Sequence, residues 1–331
     1  MSANLSLVVP SGHLTLGNLL GAVLGWTTDQ RQAGGLYGVA DLHALTLEHD
    51  PAQVRALTLE QVGVLLAAGL DPRRCTIFVQ SHVPAHAELL WLLESTVHVG
   101  ELQRMVQFKQ KAAGRGAVRA SLLTYPALMA ADILLYGAEE VPVGDDQRQH
   151  LELARAIAQR FNASYGETFV VPRAVTPPVA ARVMDLQRPR EKMSKSSRED
   201  RGVIRVLDPP EVVRRKIARA VTDADPLVRH DPEGKPGVSN LLEILSACTG
   251  PSPQALAGQF TSYRQLKDAV ADAVVALLTP LQRRYAEIAA DPPYLARVLR
   301  QGASAAGTLA APTLARAKEA IGLLPAAWQE A

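Results

Sequence analysis

Lys192-Met193-Ser194-Lys195-Ser196 sets two ammonium groups three residues apart with hydroxyls between them. Such a loop suits mobile point charges that close on a phosphate group, where arginine would act as a rigid fork. From Arg182 to Arg219 there are twelve Lys and Arg against six Asp and Glu, a net +6 in a chain of +2. That island points to a polyanion met at one place; a solvated helix face with extra arginines reads the same way. Near the other end, Pro10-Ser11-Gly12-His13-Leu14-Thr15-Leu16-Gly17-Asn18 offers Gly12 and Gly17 for close backbone approach, and Thr15 and Asn18 as neutral hydrogen-bonding groups. Between a strand and a helix, free N–H groups and the helix dipole would seat phosphates there, although an ordinary capped turn has the same composition. The stretch is neither G-x-G-x-x-G nor a P-loop, which argues against hydride-transfer enzymes and P-loop ATPases.

A third constellation is Tyr125, Met129, Asp132 and Tyr136, spaced to share one helix face. Asp132 is the single carboxylate on this apolar helix, and burying it without a donor would be costly. It either caps a neighbouring helix or accepts a ligand N–H inside an apolar pocket. His82 and His86 have the i, i+4 spacing of a zinc pair, but Pro84 lies between them and no third ligand is near in sequence, so no metal site is expected.

These residues need a frame. Leu5 to Val9, Leu36 to Ala40, Cys75 to Val79 and Val141 to Val143 read as strands. Helices are expected at 17–32, from Asp50-Pro51 to Gly69, and at 84–97, 100–110, 126–136 and 145–165. The alternation predicts a parallel sheet with helices on both faces, an α/β architecture. Beyond Pro209 no strand is expected. Helices are predicted near 209–220, 238–248, 263–278, 280–290 and 312–322, with Pro and Gly as punctuation, giving an all-helical second domain.

Composition is that of an ordinary globular chain of 331 residues: 47% hydrophobic, 21% charged. No apolar run reaches the length of a membrane span, and the first residues lack a basic signal-peptide region, so a cytoplasmic protein is expected. Cys75 and Cys248 form no C-x-x-C pair and read as two buried thiols.

Taken together, the turn at Thr15-Leu16-Gly17-Asn18 resembles the HIGH-type signature of class I aminoacyl-tRNA synthetases, and Lys192 to Ser196 matches their KMSKS signature. Ala40 to Ala44, Gly100 to Lys109, Tyr125 to Tyr136, Val141 to His150 and Lys235 to Leu241 look like the tryptophanyl-tRNA synthetase family, in the right order along nearly the whole chain. The resemblance implies a Rossmann-like parallel-sheet catalytic domain over 1–188 that binds ATP and tryptophan. It further implies a loop and linker over 189–205 and a helical anticodon-binding domain over 206–331, its last helix packing back on the first domain. It implies that ATP, with Mg2+, meets Ser11, Gly12, Thr15, Gly17, Asn18, Gly144, Asp146, Val183, Met193, Ser194 and Ser196, and that Lys192, Lys195 and Lys111 serve the phosphates, with Asp146 as an ion-pair partner of Lys111. For tryptophan it implies Asp132 as acceptor of the indole N–H and Met129 on the ring. Tyr125 and Gln147 would hold the ammonium group, and Leu5, His43, Val141 and Val143 would line the pocket. Val141 and Val143 would look the same in a plain sheet core, and His43 on a surface. The implied partners are tRNA(Trp) and a second copy of the chain, with no tightly held metal.

Two features depart from the family's pattern. Leu7 and Val9 replace a glycine and a polar residue of the first strand, and Ser197-Arg198-Glu199 stands where Asp-Pro-Asn commonly follows KMSKS. A tyrosyl-tRNA synthetase is the nearest alternative, disfavoured by the Thr15 to Asn18 turn and by Met129. A paralogue kept mainly for binding or regulation is the other.

Overall fold

A computed structural model describes residues 5–30, 35–114, 116–142, 144, 147–175, 182–195 and 200–324. Strand β1 (Leu5–Val8) pairs in parallel with β2 (Leu36–Val39), and β2 with β3 (Thr76–Val79), so that Leu5, Leu36 and Thr76 stand in register. Every residue of β2 is buried, as expected of a strand covered on both faces. Between β1 and β2 lie α1 (Leu16–Asn18), a π-turn over Leu19–Val23 and α2 (Leu24–Asp29). Between β2 and β3 lie α3 (Asp41–Ala44) and α4 (Pro51–Ala68). Helix α4 begins where the Asp50 side chain accepts from the Ala52 N–H and ends at Gly69, whose φ of +118° suits glycine.

After β3 come α5 (Ala85–Glu94), α6 (Val99–Arg104), α7 (Val106–Ala112) and α8 (Ala120–Leu135). The single helix expected over 100–110 breaks at Met105, which is extended and buried, while the Gln149 amide oxygen caps the Val106 N–H at 2.9 Å. Strand β4 (Glu140–Pro142) runs parallel to β5 (Arg173–Val175), with α9 (Arg148–Tyr165) between them. Among the described residues these two strands form a separate sheet, where the sequence reads as one.

The described residues from 210 on are helical or irregular: α10 (Pro210–Ala218), α11 (Pro236–Thr249), α12 (Pro253–Ala257), α13 (Tyr263–Ala289) and α14 (Pro292–Ala320). Three prolines that the sequence suggests as helix starts or breaks, Pro126, Pro280 and Pro312, instead lie inside α8, α13 and α14. An interior proline costs about 3 kcal/mol. Burial on both sides offsets it: Leu122 and Ala127 in α8, Leu278 and Leu281 in α13, Ala310 and Thr313 in α14.

One apolar cluster runs from Val8, Leu19, Val62 and Ile77 straight through to Val213, Leu241, Leu266 and Leu278. A second joins α5, α8 and α9 to Ala306, Ala310 and Ala317 of α14. Helix α14 thus lies against β3 and α5. It approaches so closely that a Cβ on Gly302 would fall 1.8 Å from the Ile77 carbonyl oxygen. Gly302→Ala is therefore expected to cost about 3 kcal/mol of unfolding free energy through overpacking, measurable by urea titration; an unchanged midpoint would contradict this docking. Cys75 is buried and Cys248 is half-buried, so only the first matches the expected buried thiol. No helix among the described residues is long and apolar enough to cross a membrane.

Candidate active site

The glycine turn and the lysine loop are in contact. Thr15 caps α1: its hydroxyl accepts from the Asn18 N–H at 3.2 Å and donates to Asn18 Oδ1 at 3.0 Å, while that same oxygen accepts the Thr15 N–H at 3.1 Å. With 1% exposure, Thr15 is spent on shaping the turn and presents no free hydroxyl to a ligand. The Asn18 amide nitrogen takes no part in this cap. The turn is then stitched to the chain that follows the lysines, by the Leu16 N–H to Ile204 O and the Val206 N–H to Leu14 O, both at 2.8 Å.

Lys195 sits directly over Gly12, where a Cβ would come 2.8 Å from the Lys195 carbonyl oxygen; Gly17 faces Met193. The Lys195 ammonium donates to the Val9 carbonyl at 3.2 Å, and burial pulls its pKa down to about 8. Gln61 of α4, fully buried, donates to Gly12 O at 2.8 Å and to Val9 O at 3.3 Å. Since Val9 contributes its carbonyl to these bonds, they survive the exchange of a polar side chain for valine. Leu7, the other departure, lies in the β1 ladder opposite Gly38. Lys192 is exposed and pairs by backbone with Met184, Met193 is buried with its N–H on Val183 O at 3.1 Å, and Ser194 and Ser11 are exposed.

The loop's two stems are held by buried polar side chains that composition did not single out. Asn240 of α11 clamps Met184, accepting its N–H at 2.8 Å and donating to its carbonyl at 3.0 Å. Lys216 of α10 donates to Val203 O and to Asp208 Oδ2, both at 2.8 Å, and pairs with Asp200 at 3.3 Å. Arg205 meets Asp200 at 3.2 Å, Arg214 meets Asp272 at 2.6 Å and Arg188 meets Glu191 at 2.9 Å. Part of the basic island is thus neutralised within the fold.

The second centre is Asp132, 4% exposed on α8. Its Oδ2 accepts from His43 Nε2 of α3 at 2.8 Å, and its Oδ1 from His86 Nδ1 of α5 at 2.7 Å and from Gln80 Nε2 at 2.6 Å. Burial pushes this carboxyl up, but the two imidazole donors outweigh burial and hold it at about 2. It therefore bridges three elements and caps no helix. Asp41 of α3 accepts from the Ser81 N–H at 2.9 Å, and this fixes the turn that carries Gln80. Tyr125, two helical turns before Asp132, donates to Gln107 Oε1 at 3.2 Å and meets His150 Nε2 at 2.9 Å. Its ring stands edge-on to His43 at 6.3 Å, and the Lys111 ammonium lies 5.3 Å above it. Burial lowers the Lys111 pKa and raises that of Tyr125 to about 12. Val141 belongs to the second apolar cluster, and the half-buried Leu5 and Met129 pack against it. Gly144 is exposed and accepts the Gln147 N–H at 2.9 Å. Asp146, Ser196 and Val143 lie outside the described residues, so the Lys111–Asp146 pairing does too, as does the Ser197 to Glu199 departure.

Gln80 and His86 were missed as site residues. The one available signal was the carboxylate itself: a buried acid demands donors, but nothing in the sequence around Gln80 or His86 points to it.

The parallel sheet, the turn against the lysine loop and the walled-in carboxylate define a class I aminoacyl-tRNA synthetase, and the chain belongs to that family: a profile described as tRNA synthetases class I (W and Y) matches residues 5–279. Within it, a Streptomyces coelicolor protein named Tryptophan--tRNA ligase 1 is 56% identical over 323 residues, 96% of each chain. Among solved structures, tryptophanyl-tRNA synthetase from Mycoplasma pneumoniae aligns at TM-score 0.89 with 39% identity, over 98% of each chain. The Campylobacter jejuni enzyme complexed with ADP and tryptophan aligns at 0.84 with 30% identity, over 97% of this chain and 100% of that one.

Proposed function

We infer that the chain is a tryptophan--tRNA ligase, which activates L-tryptophan with ATP and transfers it to tRNA(Trp). The single observation that carries the choice of amino acid is Asp132: an ionised carboxylate walled into an apolar face, with one oxygen directed to the largely buried His43. A site that must satisfy such an acceptor penalises phenylalanine, which lacks a ring N–H, by about 10⁴-fold. Tyrosine has a donor and is excluded by shape, with Met129, Val141, Val143 and Leu5 as the walls.

The reaction follows from positioning and charge. The tryptophan carboxylate attacks the α-phosphorus of ATP, forming a C–O–P bond while the bond to the bridging oxygen breaks and pyrophosphate leaves. Gly12, Gly17 and Asn18 seat the nucleotide, with Ser11, Gly144, Val183, Met193, Ser194 and Ser196 around it, and Thr15 holds the turn in shape. Lys192, Lys195 and Lys111 stabilise charge on the departing phosphates. Tyr125 and Gln147 orient the ammonium group. A terminal ribose hydroxyl of tRNA then attacks the adenylate carbonyl, and AMP leaves. Mg2+ held by the pyrophosphate oxygens would add to that charge stabilisation. The helices from 206 onward read the anticodon, and the chain works as a homodimer in the cytoplasm.

ATP–pyrophosphate exchange tests the assignment: exchange is expected with tryptophan and not with tyrosine, and the reverse would overturn it. Ordinary charging of tRNA(Trp) would dismiss a purely binding role.

A further inference from the structure

The two oxygens of Asp132 are not equivalent. Oδ1 already accepts from Gln80 Nε2 at 2.6 Å and His86 Nδ1 at 2.7 Å, and both of those side chains are fully buried. Because a carboxylate only accepts, His86 must carry a proton on Nδ1. In the neutral ring Nε2 then accepts, and its partner is the Tyr136 hydroxyl at 2.9 Å. Burial and the charge on Asp132 push the Tyr136 hydroxyl well above its ordinary pKa, which keeps it a donor. A hydrogen-bonded chain therefore runs from Tyr136 through His86 to Oδ1. Phe78, stacked on the His86 ring at 5.8 Å, fixes the plane of the imidazole. Gln80 is held at some cost, since its own carbonyl oxygen is buried without a partner. Oδ2, by contrast, has among the described residues the single donor His43, whose side chain is 12% exposed and stands beside Tyr125.

We propose that Gln80 and His86, with Tyr136 behind, are positioning residues that set the enzyme's demand for a ring N–H. They saturate Oδ1 and fix the carboxylate's torsion, leaving Oδ2 as the one oxygen that meets the amino acid. His43 is the donor that yields when the indole arrives. Specificity then resides in three layers: the acceptor, the donors that aim it, and a guard that keeps it satisfied when the pocket is free. This rests on the reading of Asp132 as the indole acceptor, and the test separates the two.

The probe is β-(3-benzothienyl)alanine, in which sulfur replaces the indole N–H at nearly the same shape. The readout is kcat/KM in pyrophosphate exchange for tryptophan and for this analogue, on the full chain. His86→Phe keeps a ring and removes both hydrogen bonds; Gln80→Met keeps the volume and removes the donor. Each is expected to lower tryptophan kcat/KM about tenfold, the worth of one charge-assisted hydrogen bond, mostly through KM. The analogue's value is expected to change little, so that the ratio between them falls. His86→Asn, which retains a donor near the Nδ1 position, is expected to restore most of the ratio. Variants that lower both amino acids equally, or a ratio that His86→Asn fails to recover, would overturn the proposal and reduce these residues to ordinary core packing. Asp132→Val is the separating control. If it abolishes the ratio while His86→Phe and Gln80→Met leave it intact, only the positioning role fails. If Asp132→Val itself leaves the ratio intact, the acceptor reading fails with it.

Discussion

Lys195→Ala is expected to lower kcat for pyrophosphate exchange by about 10²- to 10³-fold, the usual loss when a preorganised charge-stabilising group is removed, while tryptophan binding stays near normal. The geometry separates the two effects. Lys195 lies over Gly12 with its ammonium on the Val9 carbonyl, just past the C-terminal end of β1, whereas Asp132 is held by α3, α5 and the Gln80 turn. Burial has already lowered the Lys195 pKa to about 8, and among the described residues its ammonium meets one neutral carbonyl and no carboxylate. A bound phosphate group is expected to supply an anionic partner and to raise the pKa. In the free enzyme, then, kcat/KM for ATP is expected to be constant below pH 8 and to fall as pH rises through 8, because the neutral amine attracts no phosphate. Lys195→Arg, charged throughout, is expected to abolish that basic limb even if its absolute rate is lower. A pH profile from 6.5 to 9.5 for both proteins settles it: a limb that persists unchanged in the arginine variant belongs to another group, and undiminished turnover in the alanine variant removes Lys195 from the phosphates.

Much of this site is legible in the chain because its parts are local. The turn from Pro10 to Asn18 is a strand end plus a capped helix start, and Thr15 and Asn18 close that cap within four residues. The lysine loop is a contiguous string. What sequence could not supply is which of these groups would be spent on the protein itself. Thr15 reads as a ligand for phosphate or ribose and is consumed by the cap. Asp132 was recognisable as an expensive carboxylate, but its donors come from Gln80 and His86, about fifty residues away, and no periodicity in either segment points at it. The same limit governs the fold. Pro126, Pro280 and Pro312 are local breakers overruled by burial on both sides, a tertiary term invisible in a window of ten residues. The basic island shows the limit in charge. Its sum is correct as composition, yet Lys216 is directed into the protein and neutralised there, so it adds little to any polyanion surface.

Lys216→Met is expected to lower the unfolding free energy by about 3–5 kcal/mol, because removing one partner of a buried pair leaves an uncompensated charge. Asp208, 12% exposed at its side chain, would lose its counter-ion, and the Val203 carbonyl would lose its donor. The consequence does not stop at stability. Val203 and Asp208 flank Ile204 and Val206, which hydrogen-bond to Leu16 and Leu14 of the glycine turn, so the segment that Lys216 anchors is the one that holds that turn in shape. Asn240 does the same for the other stem through Met184. Helices α10 and α11 therefore grip the lysine loop on both sides, and a change in their placement reaches the phosphates without crossing the amino-acid pocket. The variant is expected to raise KM for ATP several-fold, of the order of one lost buried hydrogen bond, while KM for tryptophan holds. Lys216→Met combined with Asp208→Asn removes the orphaned charge but keeps an acceptor for the Arg205 N–H, now 2.9 Å from Asp208 Oδ2. It is expected to recover most of the stability and little of the ATP affinity, since the bond to Val203 stays lost. Urea unfolding and steady-state kinetics on the two variants distinguish these terms. A single variant as stable as the parent would mean that Asp208 is served by solvent, and equal changes in the two KM values would mean that the anchor supports the whole fold and has no special hold on the loop.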